Sequence, residues 1–312
     1  MIRAPAVLDS AVTERALYEL IGEPPELDRP VLVQALTGFV DAGNGAQLAR
    51  EHLLSRDATL LARFDVDSLL DYRARRPLMT FVEDRWEAYA EPEIGLHLLR
   101  DEQDTPFLVL AGPEPDLKWE RFIAAVTELI ERFGVRLTVG FTAIPMAVPH
   151  TRPIGVTAHA TRPDLLINNE PWLAKARVPA TVGNLLEYRL GRSGRDAIGF
   201  AVHVPHYLAR LDYPQAARVL LDHVGLAAGL FLPTEELSKA AEQSEAQIAE
   251  QMAQSEEVAQ VVRALEKQYD AVASGRRERA AGGLGGQLPT ADELAAEVER
   301  YLADQDGDEP TA

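Results

Sequence analysis

The fold class is set by the stretch Phe107-Leu108-Val109-Leu110-Ala111-Gly112-Pro113-Glu114-Pro115-Asp116. Its five leading apolar residues predict a strand that is buried on both faces of a sheet. A turn rich in Gly and Pro follows, and Leu117 to Phe133 then has the spacing of an amphipathic helix. Asp116 stands where a helix N-cap is expected, and Gly134 where a C-cap glycine is expected. A strand, a turn and a helix in this order are typical of an α/β protein.

The same alternation continues on both sides of this stretch. Apolar runs predict strands at Val31–Leu36, Thr59–Phe64, Val135–Ile144, Ile154–Ala160 and Asp196–Val204. Helical spacing predicts helices at Ala46–Leu54, Val182–Leu190 and Pro214–Gly225. Between Leu78 and Leu99, shorter alternating segments indicate strands or hairpins and therefore mixed strand directions. Together these patterns predict a three-layer α/β/α fold around a mainly parallel, mixed sheet.

Composition excludes several classes of protein. The 312 residues contain no Cys, so disulfides, thiolate catalysis and Cys-ligated zinc are excluded. The formal net charge of −18 argues against nucleic acid as a partner, because a duplex binder needs a basic face. No apolar stretch approaches the ~20 residues of a membrane span, and Met1 to Leu20 lacks the apolar core of a signal peptide. We therefore expect a cytoplasmic protein that contacts neither nucleic acid nor membrane.

The composition changes after Pro233. Residues 234–312 hold 18 acidic and 7 basic residues, a net charge of −11. Thr234 to Ala273 consists mostly of helix formers, with a thin coiled-coil-like seam at Ile248, Met252, Ser255, Ala259, Val262 and Tyr269. A glycine-rich link at 280–286 precedes a second helical segment, which starts with a capping box at Thr290 and Glu293. We predict a core domain at 1–233 and, at 234–312, an acidic helical hairpin arm hinged at Gly282–Gly286 with a disordered tail.

Four loops follow predicted strands and hold the candidate site residues. They are Gly38–Gly45, Gly112–Asp116, Pro145–Pro153 and Val204–Tyr207. Because ligands of open α/β sheets bind where the carboxyl ends of the strands emerge, we expect these loops to cluster at one edge. The candidate residues are Asp41, Asn44, Glu114, His150, Arg152, His206 and Tyr207.

Each candidate also has a purely structural interpretation. Asp41 or Asn44 can cap the following helix, or the amides there can hold an anion, although the spacing matches neither a Walker loop nor a Rossmann fingerprint. His150 and His206 lie next to prolines and can serve as acid, base or ligand, or can simply hydrogen-bond their own loops. A metal would need ligands from loops far apart in sequence, so neither a metal nor another cofactor is predicted.

These loop motifs also resemble those of a known family, in the same order along the chain. They are Thr37–Gly43, Asp71-Tyr72-Arg73, Gly112–Asp116, Pro149–Pro153 and Val204–Ala209. The sequence, over about Val31 to Leu232, resembles an actinobacterial member of the proteasome assembly chaperone family of the second-subunit type. The resemblance implies a fold similar to purine nucleoside phosphorylases, assembly into small homo-oligomers, and protein partners that include proteasome subunits.

Two functions stay open at this point. Chaperones of this kind often end in a hydrophobic-Tyr-any tail that docks on the α-ring, whereas this sequence ends Asp308-Glu309-Pro310-Thr311-Ala312. The favoured hypothesis is a non-enzymatic, self-associating cytoplasmic protein that binds proteasome subunits or other proteins. The alternative is a small-molecule binder or enzyme with a phosphorylase- or hydrolase-like fold, which would use a cleft rimmed by the four loops.

Overall fold

A computed structural model describes residues 16–166 and 175–282 of the chain. Its main sheet has eight strands in the order β1-β3-β6-β7-β2-β8-β10-β9, and β4 and β5 form a separate pair. The strands are β1 (Tyr18–Leu20), β2 (Val31–Thr37), β3 (Thr59–Phe64), β4 (Met79–Val82), β5 (Arg85–Tyr89), β6 (Gly95–Arg100), β7 (Pro106–Pro113), β8 (Leu137–Met146), β9 (Val156–Ala160) and β10 (Ala197–Pro205).

Helices lie between several of these strands and after the last one. They are α1 (Gly45–Leu54), α2 (Val66–Leu69), α3 (Trp119–Arg132), α4 (Val182–Arg192), α5 (Pro214–Ala228), α6 (Glu235–Gln254) and α7 (Glu256–Gly282). The predicted strands and helices of the core are all present, most with ends within two or three residues of the expected positions. Two short elements, β1 and α2, were not expected from the sequence, because neither is long enough to show a period.

The centre of the sheet is parallel and its flanks are antiparallel. Strands β7, β2, β8 and β10 are neighbours that run in one direction. Strand β3 has the same direction, since it pairs antiparallel with β6, which in turn pairs antiparallel with β7. The remaining strands, β1 and β9, pair antiparallel at the two edges. The predicted mixed, mainly parallel sheet is thus confirmed.

Alternating side chains of the central strands build two cores, one on each face of the sheet. Val33 and Ala35 of β2 pack on the side of α1 and α5. Leu32 and Leu36 of the same strand pack on the side of α3 and α4. Because successive side chains of a strand point to opposite faces, a continuous apolar run serves both cores at once. The result is the predicted three-layer α/β/α arrangement.

Two local predictions around α3 have different outcomes. Gly134 has a φ of 64°, the left-handed conformation of a C-cap glycine, as expected. Asp116 does not cap the helix: the N-cap residue is Lys118, which makes no side-chain capping bond. Asp116 instead accepts hydrogen bonds from the Asp71 amide and from Arg75, so it fastens the segment after α2 to this loop.

The segment predicted as one long helix is divided at Ser255. This residue is extended, ends α6, and lies 3.4 Å through its Oγ from the amide nitrogen of Val258 in the first turn of α7. A serine followed by two acidic residues is a typical start of a helix. Ser255 therefore caps α7 and does not continue the predicted apolar seam of one long helix.

Helix α6 packs against α5, and its Leu237 and Ile248 belong to the core on that face. The segment 283–286, the second predicted helix from Thr290 and the acidic tail lie outside the described residues. The division into domains at 233 and 234 therefore stays a prediction.

Candidate functional site

The four predicted loops emerge at one edge, because they follow the parallel strands β2, β7, β8 and β10. Backbone hydrogen bonds join them. The Gly43 amide donates to the Ala209 carbonyl and the Tyr213 amide donates to the Gly43 carbonyl, which ties the loop after β2 to the loop after β10. The Glu114 amide donates to the Thr37 carbonyl and ties in the loop after β7. Gly43 has a φ of 64°, so this contact requires a residue that tolerates the left-handed region.

Asp41 and Asn44 organise the entry into α1. The Asp41 carboxylate accepts hydrogen bonds from the amides of Ala46 at 2.7 Å and Gln47 at 2.8 Å. Burial raises the pKa of Asp41, while those two amides and the nearby Arg50 act in the opposite direction. Asn44 donates from Nδ2 to Asp212 at 2.6 Å and so joins the loop after β2 to the segment before α5. The capping interpretation of Asp41 accounts for the geometry of its carboxylate.

Glu114 lies on the opposite side of the sheet from α1. Only 8% of the residue is exposed, and its Oε1 accepts a hydrogen bond of 2.5 Å from the Val182 amide at the start of α4. A Cβ at Gly38 would stand 2.4–2.5 Å from the Glu114 side chain, so the adjacent loop must keep a glycine there. Glu114 therefore stabilises the N-terminus of a helix that is distant in sequence, with a negative charge where the helix dipole favours one.

His150 and Tyr207 form a pair between the loops after β8 and β10. The Tyr207 hydroxyl accepts from the His150 amide at 2.9 Å and lies 2.7 Å from His150 Nδ1. The hydroxyl and Nδ1 share one hydrogen bond, and the imidazole tautomer decides which of the two donates. Burial lowers the pKa of His150 and raises that of Tyr207, so both groups stay neutral near pH 7. His206 is exposed, and its ring meets Tyr207 edge-on with centroids 5.5 Å apart.

Arg152 contacts the helical arm. Its guanidinium donates to Asp270 at 2.9 and 2.7 Å and to Glu266 at 3.1 Å, both residues of α7. These carboxylates raise the pKa of Arg152 above its usual value. The flanking residues add two bonds, from Thr151 to Glu266 at 2.5 Å and from the Tyr269 hydroxyl to the Pro153 carbonyl at 3.1 Å. Helix α7 is therefore fastened over the loop after β8.

The predicted residues fall into three groups at this edge. Asp41 and Asn44 serve the start of α1, and Glu114 serves the start of α4. The third group is His150, Arg152, His206 and Tyr207, beside α7. Glu245 of α6 and Glu266 of α7 also act electrostatically on His150. Glu266 and Asp270 were not among the predicted site residues, although their spacing of four, which places them on one face of a helix, was an available signal.

The structure also shows a polar cluster that the sequence analysis missed, on the α4 face of the sheet. It contains Gln34, His159 and Glu187 around a cavity of about 50 Å³. A polar residue inside an apolar strand, Gln34 in Val31–Thr37, was the one available signal. Within residues 16–166 and 175–282, no three His, Cys, Asp or Glu side chains come together in a way that could hold a metal ion. No helix in those ranges combines the length and apolar character of a membrane span.

The fold and the site define a class: a three-layer α/β/α protein whose loop edge is tied down by its own helical arm. Comparisons with known proteins identify the family. The model of the PAC2 family matches residues 35–252, and the chain belongs to that family. No curated protein matches the sequence.

Solved structures of similar chains include three from actinobacteria. A Mycobacterium tuberculosis protein of unknown function, Rv2714, has 51% identity and a TM-score of 0.81, over 83% of this chain and 92% of that one. A Corynebacterium glutamicum protein of unknown function has 40% identity and a TM-score of 0.79, over 82% and 98%. The M. tuberculosis proteasome-assembly chaperone homologue Rv2125 has 26% identity and a TM-score of 0.68, over 74% and 99%.

Proposed function

We propose that this protein is a cytoplasmic, self-associating protein that binds other proteins, with proteasome subunits as the first class of partner to test. Membership of the PAC2 family supports the proposal, as does the similarity to a chain described as a proteasome-assembly chaperone homologue. The fold is expected to be similar to that of purine nucleoside phosphorylases, but a shared fold does not carry a shared reaction.

The observation that carries the proposal is the β4–β5 hairpin. This pair of strands forms its own two-stranded sheet, and every residue from Leu78 to Ala90 is exposed. Phe81 is 55% exposed and Trp86 is 62% exposed, and their rings pack edge-on with centroids 5.0 Å apart. An isolated two-stranded hairpin is marginal in water, and a contiguous exposed apolar patch marks an interaction site. The hairpin therefore has the properties of an association surface.

A second copy of this chain is the occupant we propose, because two copies of one exposed apolar face can cover each other in a two-fold contact. Two copies carry a net charge of −18 each and repel one another over most of their surfaces. On the hairpin, Arg85 forms ion pairs with Asp84 and Glu87, and with Glu83 the segment 78–90 keeps a net charge of −2. Burial of the aromatic side chains must therefore outweigh a charge repulsion that salt screens.

Light scattering on the purified full chain tests self-association. We expect a mass that is a multiple of 34.2 kDa at micromolar concentration. Replacing Phe81 and Trp86 together by Ser should shift the mass towards the monomer. The matched control is Leu226→Ser, because Leu226 is a 74% exposed apolar residue on α5 outside the hairpin. A wild-type mass of 34.2 kDa would contradict the proposal.

The partner is tested separately with purified proteins. Immobilised full-length chain is incubated with α and β subunits of a purified proteasome core particle, and bound subunits are quantified. Retention of either subunit, reduced by the Phe81/Trp86 double variant or by loss of the arm, supports proteasome subunits as partners. Absence of retention at micromolar concentrations would leave self-association as the proposed activity and would reject this class of partner.

The small-molecule alternative rests on the half-buried His150–Tyr207 pair beside exposed His206. A neutral imidazole and a tyrosine hydroxyl in contact are groups that acid–base chemistry can use. In the structure, α7 is fastened over the adjacent Arg152, so a substrate would have to reach the pair beside that helix. This alternative would gain support if a His150→Gln variant lost a measured activity without a change in oligomeric state.

A further inference from the structure

A row of four residues crosses the sheet on the face covered by α4. In register, Gln34 of β2 lies opposite Gly140 of β8, Gly140 lies opposite Gly199 of β10, and Gly199 lies opposite His159 of β9. We call these four residues the polar row. Because cross-strand partners project from the same face of a sheet, two polar side chains stand at the ends of the row and two glycines stand between them.

The glycines leave room for the two polar side chains to lie flat on the sheet. A Cβ at Gly140 would stand 3.1 Å from Gln34 Oε1, and a Cβ at Gly199 would stand 2.7 Å from His159 Nε2. Each polar side chain therefore leans over the glycine of the neighbouring strand, and the two point towards each other. Above them, Gly183 of α4 allows a similarly close approach, since a Cβ there would stand 2.7 Å from Gln34 Oε1.

The side chain of Gln34 is mostly buried and lines the cavity. Only 7% of the residue is exposed, and no fully buried side-chain polar atom of the described residues lacks a partner, so the Gln34 amide atoms are either paired or in contact with the space of the cavity. A buried amide normally has a partner, because burial without one is unfavourable. Gln34 offers the cavity of about 50 Å³ one acceptor and an NH₂ donor side by side.

At the other end of the polar row, His159 provides a hydrogen-bond acceptor that faces the cavity. His159 Nδ1 lies 2.9 Å from Glu187 Oε1 on α4. The carboxylate accepts the Nδ1 proton, so in the neutral ring Nε2 keeps its lone pair on the side of Gly199 and the cavity. Glu114 also lines the cavity, so with Glu187 two carboxylates are present and an anion is disfavoured there.

We propose that the polar row binds a primary carboxamide. The carbonyl oxygen of such a group accepts from Gln34 Nε2, one of its N–H groups donates to Gln34 Oε1, and the other donates to His159 Nε2. A primary carboxamide has one acceptor and two donors in one plane, which matches the three groups that the row presents. The remainder of the ligand leaves past Phe39, a 60% exposed ring at the rim of the cavity.

The probe is nicotinamide, and nicotinate is its matched control because it has the same ring with a carboxylate. Titrations of the full chain are followed by calorimetry and by ¹⁵N NMR of side-chain amides. We expect nicotinamide to bind at millimolar concentrations and to shift the Gln34 NH₂ resonances, and we expect nicotinate to bind at least about tenfold more weakly.

Three variants assign the site. Gln34→Leu and His159→Phe should each weaken nicotinamide binding by about tenfold or more, whereas Gln47→Leu, at a glutamine on α1, should leave it unchanged. Gln34→Leu replaces an amide that lines the cavity by an apolar group of similar size and should melt within a few degrees of the wild type, so lost binding is not lost folding. Equal binding of nicotinamide and nicotinate, full binding by Gln34→Leu, or no binding by the wild type would overturn the proposal.

Discussion

The loops at the carboxyl edge of the sheet and the β4–β5 hairpin differ in whether their side chains have partners within the chain. At the loop edge, Tyr207 bonds to His150, Asp270 to Arg152, and backbone amides to Asp41. On the hairpin, Phe81 and Trp86 contact each other and are otherwise exposed to solvent. The polar residues that look catalytic in the sequence are thus engaged in holding loops together, and the unsatisfied surface is apolar. This difference is what motivates the proposal of an association surface on the hairpin.

The largest expected effect comes from removing the arm that covers the loop edge. Deletion of everything after Pro233 removes Leu237 and Ile248 from the core, and each buried aliphatic side chain is worth about 1.5–3 kcal/mol. We expect the core to remain folded, with a free energy of unfolding lower by about 3–6 kcal/mol in urea titrations.

A chain ending at Gln254 is the matched control for this deletion, because it keeps α6 and loses α7 with the residues that follow it. Its free energy of unfolding should be close to that of the full chain, although the loop after β8 is exposed. If the chain ending at Pro233 does not fold, residues 1–233 are not an independent domain. If the two truncated chains are equally stable, the packing of α6 contributes nothing measurable.

The second prediction concerns Glu114, the buried carboxylate at the loop edge. Glu114→Ala leaves the Val182 amide without its acceptor and empties a buried space, at a cost of about 2–3 kcal/mol in the free energy of unfolding. Hydrogen exchange should also rise in the first turn of α4. The control is Glu23→Ala, at an exposed glutamate, which should change stability by less than about 0.5 kcal/mol. Equal effects of the two changes would mean that Glu114 has no special role.

The third prediction separates the ring of Tyr207 from its hydroxyl. Tyr207→Phe keeps the packing and removes the partner of both the His150 amide and His150 Nδ1. We expect a loss of about 1 kcal/mol and faster amide exchange in the loop 147–155. Faster exchange in α1 with an unchanged loop 147–155 would show that the pair does not organise the loop after β8.

The smallest expected effect is a pH dependence from His150. Burial lowers its pKa, so the unfolded chain takes up a proton at higher pH than the folded protein does. The contribution of His150 to the free energy of unfolding is therefore complete above its pKa in the unfolded chain, about 6.5, and decreases as the pH falls below that value. His150→Gln should reduce the drop in melting temperature between about pH 7.5 and pH 5.5. His97, whose pKa burial also lowers, contributes equally to both proteins and cancels in the comparison.

The sequence predicted the core well because its strands are continuous apolar runs and its helices have clear periods. Thr59–Phe64 was predicted with its observed ends, and the run Phe107–Ala111 lies within the central strand β7. The caps were less predictable. Asp116 has the right position for a cap but bonds to Asp71 and Arg75, because tertiary partners competed for its carboxylate. A local pattern cannot show such a competitor.

For the candidate site, the sequence predicted where the four loops lie but not which residues they contact. The four loops do meet at one edge, which follows from parallel strands alone. That Arg152 would contact α7, and that Glu114 would reach α4, depends on segments 114–118 and 68 residues away in the chain. The role of Gln34 could not be predicted for another reason. In the sequence it is one polar residue in an apolar run, and only the register of the sheet shows that glycines lie beside it.

The measurement that tests the central claim most directly is hydrogen exchange of residues 79–89 at increasing protein concentration. In a monomer, the amides of an exposed two-stranded hairpin exchange rapidly, since little holds the strands together. Self-association through the hairpin predicts that exchange at Phe81 and Trp86 slows as the concentration rises, while exchange in α3 does not change. Rapid hairpin exchange at every concentration, in a sample whose mass shows an oligomer, would contradict the claim and would locate the interface elsewhere.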